Sequence, residues 1–344
     1  MLIVFDSHAT EAEIVGAAAT VEEAGLRVHR SDGVQHTILG LVGESRTLDP
    51  QRFAVLPGVR EVLRISTPYR LASRCFRPEP TVVSVGEVAI GGEEVVLIAG
   101  PCAVESEAQV EATAAAVAAA GGRILRGGAF KPRTSPHEFQ GLGVAGLALL
   151  RAAADRHGLA VCTEVLGVEQ IEAVAETADL LQVGARNMQN FPLLHALGKA
   201  GKPVLLKRGL SATIAEWLAA ADYVLAGPNP DVILCERGIR TFETATRSTL
   251  DISSVPVVKE LSHLPVIVDP SHAAGNRRLV PALCRAAVAA GADGLLVEVH
   301  PDPDHALSDG AQSLTPDQLT GTVNRCRMMA TALGRRLAPG GRHV

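Results

Sequence analysis

Val266-Ile267-Val268-Asp269-Pro270-Ser271-His272 sets an apolar run directly against an acid, a proline, a serine and a histidine. A parallel-sheet strand is covered on both faces, so its residues have no reason to alternate. Polar groups crowded past its C-terminal end are where α/β barrels and doubly wound sheets place their chemistry. The design recurs along the chain. Strands are predicted at Val95–Ala99, Arg123–Leu125, Ala160–Thr163, Leu180–Val183, Val204–Leu206, Val232–Cys235, Val266–Val268 and Gly294–Val297. Alanine-rich helical stretches such as Glu107–Ala120 and Pro281–Ala290 lie between them. Eight strands over about 240 residues predict a (β/α)8 barrel. The alternative, an open doubly wound sheet, would need a GxGxxG turn after its first strand, and the chain has none there.

Ahead of the barrel, residues 1–70 alternate more compactly. Leu2–Phe5, Leu26–His29, Thr37–Val42 and Val59–Ile65 read as strands, and Thr10–Ala24 and Pro50–Leu56 as helices, the first opened by a Thr10/Glu13 capping box. The order βαββαβ is the ferredoxin-like split unit. Pro68–Pro80 carries three arginines and three prolines and reads as a linker. Thr81–Ile90 reads as a short hairpin turning at Gly86. The expected organisation is a small domain at 1–70, a linker at 71–80 and a barrel at 81–338.

The chain has 344 residues with 47% hydrophobic content, yet no apolar run reaches the roughly 18 residues of a membrane helix. Its start turns acidic after five residues and lacks the basic opening of a signal peptide, so a soluble cytoplasmic protein is expected. A net charge of −5 argues against a general nucleic-acid binder. Six cysteines form no CxxC pair, and most are expected to be buried thiols, with Cys102 set apart as a candidate ligand.

Every predicted strand is followed by a group able to hold an anion or a metal, and the groups fall into two sets. Cys102, His272, Glu298 and Asp309 offer a thiolate, an imidazole and two carboxylates, a mixed donor set suited to one divalent first-row metal ion. His300 and His305, in the exit loop of the last strand, compete for the imidazole position. Arg126, Lys131, Arg133, Arg186, Lys207 and Arg237 form the second set. Glu164 and Glu236 are expected to neutralise two of these cations, and the remainder suggest multiply charged substrates such as phosphates.

The segments IAGPCAVES, RGGAFKPRTSP, LLQVGARNMQNF, LLKRG, ILCERGIRTFE, VIVDPSHAAG and GADGLLVEVHPDPDHALSDGAQSL, in order over residues 95–314, resemble the 3-deoxy-D-arabino-heptulosonate 7-phosphate (DAHP) synthase family. The N-terminal unit resembles the regulatory extension of one subgroup. The octulosonate 8-phosphate synthases share the barrel but typically read KANRS where this chain has Lys131-Pro132-Arg133-Thr134-Ser135, which points to erythrose 4-phosphate rather than arabinose 5-phosphate. Ser248, where the family often has Asn, and Glu260 depart from the pattern, outside the matched site motifs.

The resemblance implies condensation of phosphoenolpyruvate with erythrose 4-phosphate, assisted by a metal such as Mn, Fe, Co or Zn on Cys102, His272, Glu298 and Asp309. It implies enolpyruvate binding by Arg126, Lys131, Ala185, Arg186, Lys207 and Arg237, and aldose phosphate binding by Arg133, Thr134 and Ser135. Lys131, Asp269 and Glu164 become the catalytic candidates. It further implies a homotetramer inhibited by an aromatic amino acid at His29 and Ser31, in the loop His29-Arg30-Ser31-Asp32-Gly33. An intact mouth used only for sensing phosphate ligands is the non-enzymatic alternative; it should lack a metal ligand or a loop cation, and none is missing.

Overall fold

The computed structural model describes residues 1–33, 36–43, 48–63, 68–131, 137 and 139–340. The N-terminal unit is a four-stranded antiparallel sheet, β1 (Leu2–Phe5), β2 (Arg27–Asp32), β3 (Thr37–Val42) and β4 (Val59–Leu63), in the order β2-β3-β1-β4. Its first helix, Glu11–Glu23, starts at the expected capping box, with Thr10 and Glu13 closing on each other's backbone. Ile3, Phe5, Ile14, Val21 and Phe53 fill a small core of their own. The chain thus folds as a ferredoxin-like unit followed by a barrel.

β5 (Val83–Val85) and β6 (Val88–Ile90) form the expected hairpin, and its four valine and isoleucine side chains on one face are buried against inward residues of the barrel such as Val96, Ile124, Leu205 and Ile267. The barrel closes from eight parallel strands: β7 (Val96–Gly100), β8 (Ile124–Arg126), β9 (Ala160–Glu164), β10 (Leu180–Val183), β11 (Val204–Lys207), β12 (Val232–Glu236), β13 (Val266–Val268) and β14 (Gly294–Glu298). Each lies within a residue of its predicted place. The differences have one sense: several strands extend to include the charged residue expected just beyond them. Arg126, Glu164, Lys207, Glu236 and Glu298 are the last residues of their strands. Ladder hydrogen bonds therefore fix their Cα positions, which a loop would not do.

Gly100 ends β7 with φ 153°, and a Cβ there would stand 1.9 Å from the Arg126 carbonyl oxygen. This close approach seats β7 against β8 just below Cys102, and only glycine permits it.

The Pro68–Pro80 segment is packed rather than free. Asp222, on the helix Ile214–Leu225, accepts the backbone N–H groups of Arg70 (2.5 Å), Leu71 (3.3 Å) and Ala72 (2.7 Å). His263 Nε2 reaches the Leu71 carbonyl oxygen at 2.7 Å and its Nδ1 lies 2.7 Å from Thr81 Oγ1. Burial pushes the His263 pKa down to about 4, which keeps the ring neutral. Leu2, Val4 and Ile38 of the small domain share a cluster with Tyr69, Leu71 and Phe76 of this segment.

Burial also raises the Asp222 carboxyl to about 6 against the pull of those three N–H groups. Asp222→Ala should strand three donors and cost about 2–3 kcal/mol. Urea unfolding should show the lower stability, and trypsin should gain access to Arg70 and Arg74. An unchanged midpoint with no new cleavage would refute the clamp.

Candidate functional site

The DPSH turn shows how local chemistry builds the site. Asp269 caps the short helix Pro270–Ala274: its Oδ1 accepts the His272 N–H at 2.9 Å, Pro270 occupies the first turn, and Gly275 ends it in the left-handed region. One helical turn folds His272 back over its own cap, with Nδ1 2.7 Å from Asp269 Oδ2 and Nε2 3.4 Å from Glu298 Oε1.

Around this turn the predicted metal ligands converge. Cys102, Glu298 and Asp309 each place a ligand atom within 4.8 Å of the others, and His272 Nε2 stands beside them. Cys102 Sγ lies 3.3 Å from Asp309 Oδ2 and 3.0 Å from Ser308 Oγ. Burial, then the charge of Glu298, pushes the Cys102 thiol up to about 11. Burial acts against ionising Glu298, but His272 and Arg126 outweigh it and hold the carboxyl low. The Asp309 carboxyl is held near 2, where burial is opposed by His272 and Arg247. Burial lowers the His272 pKa, which favours the neutral ring with a free nitrogen lone pair. The competing histidines do not join this group. His300 pairs with Glu105 at 3.2 Å, and His305 is exposed on Asp302 at 2.7 Å.

Beside the ligands opens a cavity of about 630 Å³, walled by Arg126, Lys131, Glu164, Ala185, Arg186, Lys207 and Arg237, and lined also by Arg240, Arg247 and Ser248. Arg126 Nη1 donates to Glu298 Oε1 at 2.6 Å, and its buried Nε has no partner among the described residues. Lys131 Nζ lies 3.0 Å from the Cys102 carbonyl oxygen and 3.1 Å from its Sγ, so it spans the ligand corner and the cavity. Arg237 donates to Ser248 Oγ at 3.0 Å and to the His272 carbonyl oxygen at 3.1 Å. Glu164 accepts from Gln182 at 3.3 Å. Gly184 leaves room for Glu164: a Cβ there would come within 2.1 Å of its Oε1. Arg133, Thr134 and Ser135 lie outside the described residues.

Several expectations change. Among the described residues, Glu164 and Glu236 pair with none of the six predicted mouth cations. Glu236 pairs with Arg208 at 2.9 Å, while Arg126 pairs with Glu298, Lys207 Nζ lies 2.6 Å from Asp269 Oδ2, and Arg247 pairs with Asp309. Asp269 is fully buried, with its carboxylate held between Lys207 and His272. Ser248 does belong to the site, where it holds Arg237. His29 and Ser31 are not in a loop. β2 runs through both, paired with Gly40 and Ile38 of β3, because the β-sheet partner continues to Thr37. The His29 ring stands edge-on to Phe76 at 6.4 Å. Cys75 is exposed, while Cys162, Cys235, Cys284 and Cys326 are buried.

Arg240 and Arg247 escaped the sequence reading because they sit in the long exit loop of β12, several residues past the strand end. The sequence TFETATRSTLD offers a single signal, a cation among hydroxyl residues in a long post-strand loop.

A closed parallel barrel with this cationic mouth defines a (β/α)8-barrel enzyme. The profile of the DAHP synthetase I family matches residues 76–333, and that of the DAHP synthase ferredoxin-like domain matches residues 1–67. A phospho-2-dehydro-3-deoxyheptonate aldolase of Thermotoga maritima is 49% identical over 334 residues, 97% of this chain and 99% of that protein. The crystal structure of the Thermotoga maritima DAHP synthase superposes with a TM-score of 0.79 at 48% identity, covering 98% of each chain. A 2-dehydro-3-deoxyphosphooctonate aldolase of Syntrophotalea carbinolica is 37% identical over 270 residues, 73% of this chain and 96% of that protein. The chain belongs to the DAHP synthetase I family.

With a thiol near 11 and 2% exposed, Cys102 should resist alkylation at pH 8 in chelator-treated protein, while exposed Cys75 reacts. Raising the pH toward 11 should increase labelling of Cys102. Peptide mass spectrometry reads both sites, and equal labelling at pH 8 would contradict the burial of this thiol.

Proposed function

We propose that this enzyme condenses phosphoenolpyruvate with erythrose 4-phosphate and water to give DAHP and phosphate. The observation that carries the reading is the juxtaposition of a thiol, an imidazole and two carboxylates with a cavity walled by Arg126, Lys131, Arg186, Lys207 and Arg237. Likeness to the heptonate aldolase extends over both domains, whereas likeness to the octonate aldolases is confined to about three quarters of the chain.

The donor set fits a divalent metal ion: its four groups are soft and hard in the mixture such ions accept, and they lie close enough to share one. When bound, the ion supplies Lewis acidity to the aldehyde oxygen or orients water. The rest falls to the chain's own residues. Arg186, exposed and without a partner among the described residues, and Lys207 receive the enolpyruvate phosphate. Arg126 and Arg237 hold its carboxylate. The enolpyruvate methylene carbon attacks the aldehyde carbon, and Lys131 gives a proton to the oxygen that becomes a hydroxyl. Water adds at C2 and loses one proton to Glu164; the C2–O bond to phosphate then breaks as the new C2 hydroxyl passes its proton to the departing phosphate, leaving the C2 ketone. Arg133, Thr134 and Ser135 take the far phosphate of the aldose. Fixing both reactants head to tail supplies orientation. Purified protein should consume enolpyruvate faster with erythrose 4-phosphate than with arabinose 5-phosphate and should stop on chelation. The reverse preference, or full activity after exhaustive chelation, would overturn this reading.

The ferredoxin-like domain is the proposed seat of feedback control by an aromatic amino acid, in a homotetramer. Support comes from its separate core and from the position of His29, which lies near the Ala226 backbone of the barrel. A ligand that bound His29 and Ser31 would therefore meet a strand that already touches the barrel, as coupling between sites requires. Removing residues 1–70 should leave an active barrel insensitive to tyrosine and phenylalanine, while the full chain is inhibited. No response of the full chain to either amino acid would make the domain an assembly element.

A further inference from the structure

Glu298 and Asp309 each turn one oxygen toward the ligand corner and give the other to side chains outside it. Glu298 Oε1 faces His272 Nε2 at 3.4 Å and accepts from Arg126 Nη1 at 2.6 Å, while its Oε2 accepts from Gln312 Nε2 at 2.6 Å. Asp309 Oδ2 faces Cys102 Sγ at 3.3 Å, while its Oδ1 accepts from Arg247 Nη1 at 3.2 Å. The two outer partners are themselves joined, for Arg247 Nη1 also donates to Gln312 Oε1 at 2.9 Å. We propose that Arg247 and Gln312 form a bridge that holds the outer oxygens of both carboxylates, so that each ligates a metal ion through one oxygen only. The inference rests on the metal-site reading above and specifies how that site chooses its ion.

The direction of the bridge follows from hydrogen-bonding capacity. A guanidinium only donates, so it fixes the Gln312 amide with its oxygen toward Arg247 and its NH2 toward Glu298. Glutamate at this position would set two carboxylates against each other. The backbone enforces the same arrangement. Asp309 has φ 51°, the left-handed region that aspartate tolerates. It opens the 3-10 turn Gly310–Gln312, whose last N–H returns to the Asp309 carbonyl oxygen at 3.2 Å. A Cβ on Gly310 would meet the Pro303 carbonyl oxygen at 2.0 Å, so the turn is closely packed. Asp309 and Gln312 are thus placed by one turn, and Gln312 is buried with 2% exposure. Arg247 arrives from a different loop, the exit of β12, and ties the two ends of the site together.

Holding one oxygen of each carboxylate denies bidentate ligation. Calcium commonly uses bidentate carboxylates to reach six to eight oxygen ligands. Transition ions accept fewer ligands of mixed type. The bridge therefore favours a small transition ion and excludes a large hard one. Outer partners of metal ligands commonly contribute about 10–100-fold in affinity.

The test uses the full-length protein stripped of metal, with Mn²⁺ or Ca²⁺ alone as probe and a chromophoric chelator as competitor. Gln312→Met keeps chain length and removes the amide; Arg247→Met acts at an exposed residue and keeps the test open if the buried variant unfolds. Each should lose about 10–100-fold in Mn²⁺ affinity. The double variant should lose little more than either single one, because both act through one bridge. Ca²⁺ affinity should fall less than Mn²⁺ affinity in the variants. Melting of the stripped proteins reports folding separately. Mn²⁺ affinities within about twofold of the parent, or fully additive losses, would overturn the bridge. A parent protein that binds no Mn²⁺ would overturn the metal-site reading, and this inference with it.

Discussion

The structure depends on opposite charges confined at one end of a dry barrel. Lys207–Asp269 and Arg126–Glu298 are ion pairs of 2.6 Å whose side chains are at most 5% exposed. Such pairs gain little net stability, because removing both charges from water costs about as much as their attraction returns. Their geometry is what they supply. Asp269 is fixed as a helix cap and holds Lys207 on one side and His272 on the other. Glu298 is fixed as a strand terminus and holds Arg126. A cation lining the cavity and a candidate metal ligand are therefore aligned by the same carboxylate, twice over.

This arrangement explains why the fold was legible from sequence. Strands buried on both faces spell unbroken apolar runs, and the run at Val266–Val268 ends at a proline-marked helix start. The charged strand-end residues were legible as a set, because a barrel puts all eight C-terminal ends at one mouth. What was not legible is pairing. Sequence order places Arg237 next to Glu236, yet the Glu236 side chain accepts from Arg208 and from the Gly238 N–H. Adjacent residues of a strand point to opposite faces. Arg247 and Gln312 belong to a second layer set by loop geometry, for which no local periodicity exists. Ser248 looked incidental for the same reason.

The N-terminal domain obeys a different rule. Its elements were readable from capping and alternation, but β2 ran longer than expected, because antiparallel pairing with β3 continues through Ser31 and Asp32. The linker shows the limit of reading composition. Its prolines and arginines read as a linker, and Asp222 and His263 bind its backbone groups directly. Composition reports what a segment needs from solvent; it does not report which buried acceptor takes that place.

The most direct measurement is anomalous diffraction from crystals loaded with Mn²⁺ and phosphoenolpyruvate. The account predicts one anomalous peak ligated by Cys102, His272, Glu298 through Oε1 and Asp309 through Oδ2, with the enolpyruvate phosphate on Arg186 and Lys207. A peak away from these four residues, or a phosphate outside the cavity they border, would contradict it.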